Sequence, residues 1–297
     1  MSKVLIIGDI MGRPGRHALA QVCPLWKQEH NPDVIIGNVE NLTHGKGIIT
    51  KHIEDLNELG FDVYTSGNHV FDSGARAEEC FEKFHNIIRP ANYTSLGDSS
   101  ISSPFQGGVA DTFLSPSPRE GRVGEGLVPG QGFYRFSKNN QQYLVINLGG
   151  QVFFEKQFRG SISNPFFAFD EIYSNEAQKD DIIIVDLHAE ATSEKNAFAW
   201  HVDGRATIMY GTHTHIPTAD TKILPKGLAY QTDIGMTGAR DSVLGVKPES
   251  SLAPYLETGK FKLEIPEEGP AIANALLVEL DGNKVTKLER LQREVEI

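Results

Sequence analysis

Residues 3–9, KVLIIGD, form a short apolar run that stops on a carboxylate, and residues 16–30, RHALAQVCPLWKQEH, follow with apolar positions at helical spacing. The first pattern is that of a strand buried on both faces, and the second is that of an amphipathic helix covering one of them. The alternation repeats along the chain. DVIIGNVE (33–40) reads as a second strand, and TKHIEDLNELG (50–60) as a helix closed by Gly60. FDVYTSGN (61–68) reads as a third strand, and SGARAEECFEKFH (73–85) as a helix capped by Ser73. QQYLVINLGG (141–150), DDIIIVDLH (180–188) and RATIMYGTH (205–213) continue the series. Such alternation predicts βαβ units and a largely parallel sheet. The stretch at 271–292, AIANALLVELDGNKVTKLERLQ, reads instead as a hairpin turning at Asp281-Gly282-Asn283. A purely doubly wound sheet seldom ends that way, so the expectation is an α/β protein with two sheets and helices outside them.

The chain of 297 residues is expected to form a single domain spanning 1–297. A hydrophobic content of 39% is that of a soluble globular protein, and a net charge of −11 argues against coating nucleic-acid polymers, which needs clustered Lys and Arg. A small phosphate ligand is not excluded, because metal ions can supply the positive charge. With two cysteines, Cys23 and Cys80, and no CxxC pair, a thiolate zinc site is not expected. The opening MSKVLIIGDI is too short an apolar run for a signal peptide or a membrane span, which reads as a cytoplasmic protein with no membrane partner. Residues 98–131 are rich in Ser, Pro and Gly and without periodicity, and are expected to form a flexible insertion dispensable for chemistry.

Five candidate strands end on metal-type donors. The first ends on Asp9, the second on Glu40 and Asn41, the third on Asn68 and His69, a later one on His188, and RATIMYGTHTH on His213 and His215. On an extended segment, residues two apart point to the same side, which suits two imidazoles serving one centre. Ligands of open α/β sheets bind at the carboxyl ends of strands. Each residue has an ordinary reading as a cap, turn or core residue. Coincidence at five strand ends is another matter. Carboxylates, amide oxygens and imidazoles without sulfur suit Mn, Fe or Zn. The donors exceed one coordination sphere, which points to two divalent transition-metal ions sharing a carboxylate. Such a pair activates water and clamps phosphate oxygens during in-line displacement, so phosphoester hydrolysis is the expected reaction.

These motifs carry a resemblance. GD on the first strand, GNH on the third, a later lone His and GTHTH resemble the calcineurin-like metallophosphoesterases. GDIMGRPGR, ENLTHGKG, GNHVFD, RPANY, DLHAEATSEK, DGRATIMYGTHTHIPTAD and TDIGMTG resemble their YmdB-like branch more closely. The resemblance implies a four-layer fold, two sheets flanked by helices, and a two-metal cyclic-nucleotide phosphodiesterase. It implies that Asp9, Glu40, Asn41 and His215 hold one metal, that Glu40 bridges, that Asn68, His188 and His213 hold the other, and that His69 is the general acid. Met11 and Glu40 stand where the wider superfamily has His and Asp, both features of this branch. Val39 and Gln151 depart from the branch itself and bear on substrate preference. Arg13 and His44, in turns after Asp9 and Glu40, are candidate substrate-facing residues. Asp72 is placed to orient His69 or to cap a helix.

The resulting expectation is hydrolysis of small cyclic nucleotides of the 2′,3′-cyclic AMP type by attack of a metal-bound hydroxide on phosphorus. A phosphomonoesterase or protein phosphatase on the same metals is the second reading. A regulatory metal- or nucleotide-binding protein with incidental hydrolysis is the third. The expected partner is a small-molecule phosphodiester, and a homo-oligomer is compatible with the sequence.

Overall fold

The first strand, β1 (Ser2–Ile7), divides its side chains between two cores, with Val4 and Ile6 on one side and Leu5 and Ile7 on the other. That period of two is what a strand buried on both faces produces. The computed structural model of the chain describes residues 1–94, 128–154, 157, 161–256 and 262–297. After β1 come β2 (Asp9–Ile10), α1 (Gly12–His30), β3 (Val34–Asn38), α2 (Thr50–Asn57), β4 (Val63–Thr65), α3 (Ala75–Lys83) and β5 (Tyr93–Thr94). The middle of the chain holds β6 (Phe133–Lys138), β7 (Gln141–Gly149), β8 (Ser161–Ile162), α4 (Pro165–Glu176), β9 (Ile182–His188), α5 (Thr192–Val202) and β10 (Ile208–Thr212). The remainder holds β11 (Lys222–Ile223), β12 (Ala229–Gln231), β13 (Met236–Ala239), α6 (Pro248–Leu252), β14 (Pro270–Asp281) and β15 (Lys284–Glu296).

Two large sheets result. One runs β2-β13-β14-β1-β3-β4, with β15 also paired to β14; the other runs β11-β12-β10-β9-β7-β6. The expected parallel pairings are present between β1 and β3, β3 and β4, β7 and β9, and β9 and β10. The expected hairpin is β14–β15, and Gly282 at its tip has φ +62, as a two-residue hairpin loop demands of its first residue.

Three apolar clusters fill the spaces between four layers. Leu5, Ile7, Leu19, Trp26 and Ile53 pack α1 and α2 onto the first sheet. Val4, Ile36, Val63, Val145, Ile184 and Ile208 fill the space between the sheets. Leu144, Phe169, Val185 and Phe198 pack α4 and α5 onto the second sheet. Each fully buried Ile, Val or Leu contributes about 1.5–3 kcal/mol, so the layering follows from the central strands β1, β3, β9 and β10 having no wet face. Cys23 and Cys80 lie buried in the first of these clusters. Pro24 interrupts α1 only on its exposed face, where the carbonyl four residues back can turn to water.

Two local expectations are corrected. The cap of α3 is Gly74, with no side-chain cap bond; Ser73 spends its hydroxyl on the Ile48 carbonyl instead. The second is the His-x-His segment: β10 stops at Thr212, and His213 and His215 lie beyond it with φ +94 and +65. They are loop residues in a conformation side chains rarely adopt, not neighbours on a strand face.

Most of the predicted insertion, 98–127, lies outside the described residues. Its last residues are tied to the framework: the Gln131 carbonyl accepts from the Arg89 amide at 2.9 Å, and the Gln131 side chain donates to the His85 carbonyl at 2.7 Å.

Candidate metal centre

Five strands of the two sheets end on one edge of the sandwich, and each changes character at its last position facing the other sheet. These positions are Asn38 on β3, Thr65 on β4, Asn147 on β7, Asp186 on β9 and Thr212 on β10, all buried. They continue the inward parity of Ile36, Val63, Val145, Ile184 and Tyr210. A polar layer thus lies on top of the inter-sheet core. It is hydrogen-bonded throughout: Asn38 Nδ2 reaches Asp186 at 3.2 Å, the Asn147 side-chain oxygen accepts from the Ser66 amide at 3.1 Å, and Thr65 and Thr212 donate to Asp186.

The candidate donors sit directly beyond this layer. Glu40 Oε2 lies 3.1 Å from His188 Nε2, which is also 3.1 Å from Asn68 Oδ1. Glu40, His188 and His213 each present a ligand-type atom within 4.8 Å of the others. On the other side of Glu40, Asn41 Nδ2 lies 2.9 Å from Glu40 Oε1 and 3.2 Å from His215 Nε2. Asp9 Oδ1 is 4.0 Å from both His188 Nδ1 and His215 Nε2, and Asp9 Oδ2 accepts from the His213 amide at 3.2 Å. All seven predicted donors are therefore brought together, with Glu40 between the two sets. Gly67 makes this possible: a Cβ there would lie 2.2 Å from His188 Nε2 and 2.3 Å from Glu40 Oε2.

The donors fit divalent metal ions on their own chemistry. Asp9 Oδ1 is fully buried yet has no hydrogen-bond partner among the described residues. A buried carboxylate oxygen left that way is costly unless a cation sits beside it. Each histidine has one ring nitrogen committed to the protein: His188 Nδ1 to Thr212 Oγ1 at 2.8 Å, His215 Nδ1 to the Leu244 carbonyl at 3.0 Å, and His213 Nε2 to Glu190 at 3.0 Å. This is how metal-ligating imidazoles are oriented. Asn68 already turns its oxygen inward. Asn41 would have to turn its amide over to offer Oδ1, because its nitrogen now faces Glu40 and His215.

Electrostatics among these side chains are those of crowded buried charge. Burial pushes the Asp9 carboxyl up to about 7, against the pull of His215 and His188. Burial acts upward on Glu40 too, but the charge and hydrogen bond of His188 outweigh it and hold Glu40 below the usual range. For His188 burial acts downward, and Glu40 reverses it. Burial, reinforced by the charge of His188, lowers His213 to about 2, so that ring is neutral and has a lone pair to give.

His69 lies at the margin. Its amide donates to Glu40 Oε2 at 3.1 Å, and its Nδ1 contacts Asp72 Oδ2 at 2.9 Å, so Asp72 orients the ring. Its side chain remains 26% exposed, open to a ligand. The two candidate substrate-facing residues are less engaged. Arg13 is half-exposed and pairs with Glu267 at 3.4 Å, while His44 is exposed at φ +52 beside the His52 ring. Val39 is buried in the core under the helices, and Gln151 gives its side chain to the Ile162 carbonyl at 3.0 Å.

Sequence reasoning missed the groups that hold the candidate donors in place. Lys195, 1% exposed, donates to the Thr212 carbonyl at 2.6 Å and to Asp233 at 2.8 Å. Asp233 in turn accepts from the amide and hydroxyl of Thr214 at 3.1 and 2.8 Å. The pair pins both ends of the turn that presents His213. Asp186 was missed as well, although its parity with His188 in IIIVDLH was a readable signal.

A family model described as YmdB-like protein matches residues 5–105 and 124–291. The chain belongs to the YmdB-like protein family. It is 34% identical over 296 residues to the 2′,3′-cyclic-nucleotide 2′-phosphodiesterase of Bacillus subtilis (strain 168), covering 97% of this chain and 96% of that protein. A solved structure described as a novel phosphatase from Mycoplasma pneumoniae superposes with a TM-score of 0.81 at 33% identity, covering 99% of this chain and 94% of that one. A hypothetical protein from Thermus thermophilus superposes with a TM-score of 0.79 at 32% identity, over 98% and 99% of the two chains. The calcineurin-like phosphoesterase YfkN of B. subtilis shares the fold, with a TM-score of 0.55 at 11% identity over 98% of this chain and 90% of that one. This YmdB-like protein thus has the calcineurin-like fold and is a hydrolase of phosphoric esters. Among the described residues no helix is long and apolar enough to cross a membrane.

Proposed function

We propose that this YmdB-like protein hydrolyses small 2′,3′-cyclic nucleotides at a pair of divalent transition-metal ions, Fe or Mn by donor type. The observation that carries the reading is the convergence of Asp9, Glu40, Asn41, Asn68, His188, His213 and His215 around a buried carboxylate oxygen with no hydrogen-bond partner among the described residues. The relative named for 2′,3′-cyclic nucleotides supports the substrate class. Asp9, Glu40, Asn41 and His215 would hold one ion; Glu40, Asn68, His188 and His213 would hold the other. Such ions supply, when bound, an activated water and positive charge on the phosphate oxygens.

The chain supplies the rest. Glu40 lies between the two sets and ties them to one position. Phe154, fully buried with its ring 4.4 Å from that of His213, closes one side of the centre with apolar surface. His69, held at Nδ1 by Asp72, keeps Nε2 for a proton. As the new oxygen bonds to phosphorus and the phosphorus–ribose oxygen bond breaks, His69 Nε2 gives that proton to the departing ribose oxygen.

The test is turnover of the purified full chain with added Mn²⁺ on 2′,3′-cyclic AMP, 3′,5′-cyclic AMP and a phosphomonoester. Preference for the 2′,3′-cyclic ester supports the reading. Faster turnover of the monoester would favour a phosphatase, the activity named for the Mycoplasma pneumoniae structure.

A further inference from the structure

The carboxylate beneath the centre, Asp186, is fully buried two residues before His188 on the same face of β9. Its Oδ1 accepts from Thr212 Oγ1 at 2.7 Å. Its Oδ2 accepts from Asn38 Nδ2 at 3.2 Å and from the Thr65 hydroxyl. Burial pushes its carboxyl above the usual range, and the three donors around it pull the other way, toward the anion. Thr212 has a single hydroxyl proton. If that proton goes to Asp186, the 2.8 Å contact between Thr212 Oγ1 and His188 Nδ1 can be made only by accepting the Nδ1 proton.

The consequence appears at the other ring nitrogen. His188 Nε2 lies 3.1 Å from Glu40 Oε2 and 3.1 Å from Asn68 Oδ1, so it faces a carboxylate oxygen and an amide oxygen. A cation joining those three atoms requires Nε2 to be the nitrogen without a proton. We propose that Asp186, acting through Thr212, is the positioning group that keeps the His188 proton on Nδ1 and so presents Nε2 to a metal ion; the inference rests on the metal-dependent reading above. The same carboxylate also clamps the sheets together. Asn38 and Thr65 come from the first sheet, Asp186 and Thr212 from the second. Asp9, Glu40 and Asn68 are carried by the first sheet and His188 and His213 by the second, so the Asp186 clamp sets the separation of the two half-sites.

Substitution makes the relay testable. In Asp186→Asn the side facing Thr65 and Asn38 must be the amide oxygen, because both groups donate there. The amide nitrogen then faces Thr212 and donates to it. The Thr212 hydroxyl is turned to donate to His188 Nδ1, which moves the ring proton to Nε2 and blocks the ligand atom. Thr212→Val removes the relay and leaves Asp186 its other donors, whereas Thr212→Ser keeps the hydroxyl.

The measurement is Mn²⁺ affinity of the full chain by equilibrium dialysis with elemental analysis, alongside nitrogen-15 shifts of the His188 ring in Zn²⁺-loaded protein. Expected are wild-type affinity in Thr212→Ser, and losses of about 10–100-fold in Thr212→Val and Asp186→Asn. Wild type and Thr212→Ser should show His188 protonated at Nδ1. Unchanged affinity in a folded Thr212→Val overturns the inference, as does a folded, weakened Asp186→Asn that still carries the proton on Nδ1. If Asp186→Asn does not fold, the Thr212 pair alone decides. Absence of Mn²⁺ binding by wild type would instead sink the metal reading on which the inference stands.

Discussion

His69 and Gly67 sit two residues apart in one turn and serve the centre in opposite ways, one by its side chain and one by having none. His69 is anchored by its amide on Glu40 and by its ring on Asp72, so it borders the centre without being needed as a donor. A ribose oxygen leaves poorly without a proton, and a positioned acid is worth roughly 10²–10⁴ in rate. His69→Ala should therefore keep its metal and lose turnover on a 2′,3′-cyclic nucleotide by that factor. A p-nitrophenyl phosphodiester, whose leaving group departs as an anion, should be far less affected. Equal losses on the two substrates would assign His69 to phosphate binding instead. At Gly67 a single methyl would overlap both His188 Nε2 and Glu40 Oε2. Gly67→Ala should abolish high-affinity metal binding, read by elemental analysis, in a protein whose far-ultraviolet circular dichroism is that of wild type. Retention of full metal content would show that the turn can retreat from the site.

At the scale of elements, the decisive one is the turn after β10. His213 and His215 both have positive φ, a conformation that costs side-chain-bearing residues of order 1–3 kcal/mol each and persists only where the surroundings over-determine it. The over-determination is visible: Lys195 from α5 and Asp233 from the loop before β13 hold Thr212 and Thr214 from beneath. The pair is buried, and removing Lys195 leaves the Asp233 charge buried without its counter-ion. Lys195→Met should lower the unfolding free energy by about 3–5 kcal/mol. Urea denaturation of the metal-free protein measures it. A loss below about 1 kcal/mol would mean that Asp233 finds another partner or takes up a proton.

Across the whole molecule, the centre straddles the two sheets, so ions bound there act as cross-links between halves of the fold. Ligands that bind only the folded state stabilise it by mass action, about 2.7 kcal/mol at a free concentration one hundred times Kd. At about 2–4 °C per kcal/mol for a large domain, Mn²⁺ loading should raise Tm by roughly 5 °C or more, and chelation should reverse it. Glu40 lies between both donor sets, so Glu40→Gln should lose most of that shift and both ions together. A variant that keeps one ion and half the shift would place Glu40 in a single site.

How far the sequence reaches can be seen residue by residue. The apolar strands, their parallel order and the β14–β15 hairpin were legible because each is a local pattern of hydrophobicity and turn chemistry. That the seven candidate donors gather at one edge was legible because each ends or closely follows an apolar strand run, and the ends of parallel strands share one edge. Asp186, Thr212, Lys195 and Asp233 were not legible as a group. Their roles depend on which strand of one sheet faces which strand of the other, and no local period records that. The His-x-His segment shows the limit most clearly. Its spacing suggested two imidazoles on one strand face, yet the chain leaves β10 before either and turns through positive φ to aim them. The sequence by itself determined the layers and the inventory of candidate donors, because burial and strand period act over a few residues. Only the tertiary structure decided which atoms face the centre, because that follows from buried hydrogen bonds between residues remote in the chain, such as Asn38 and Asp186, 148 positions apart.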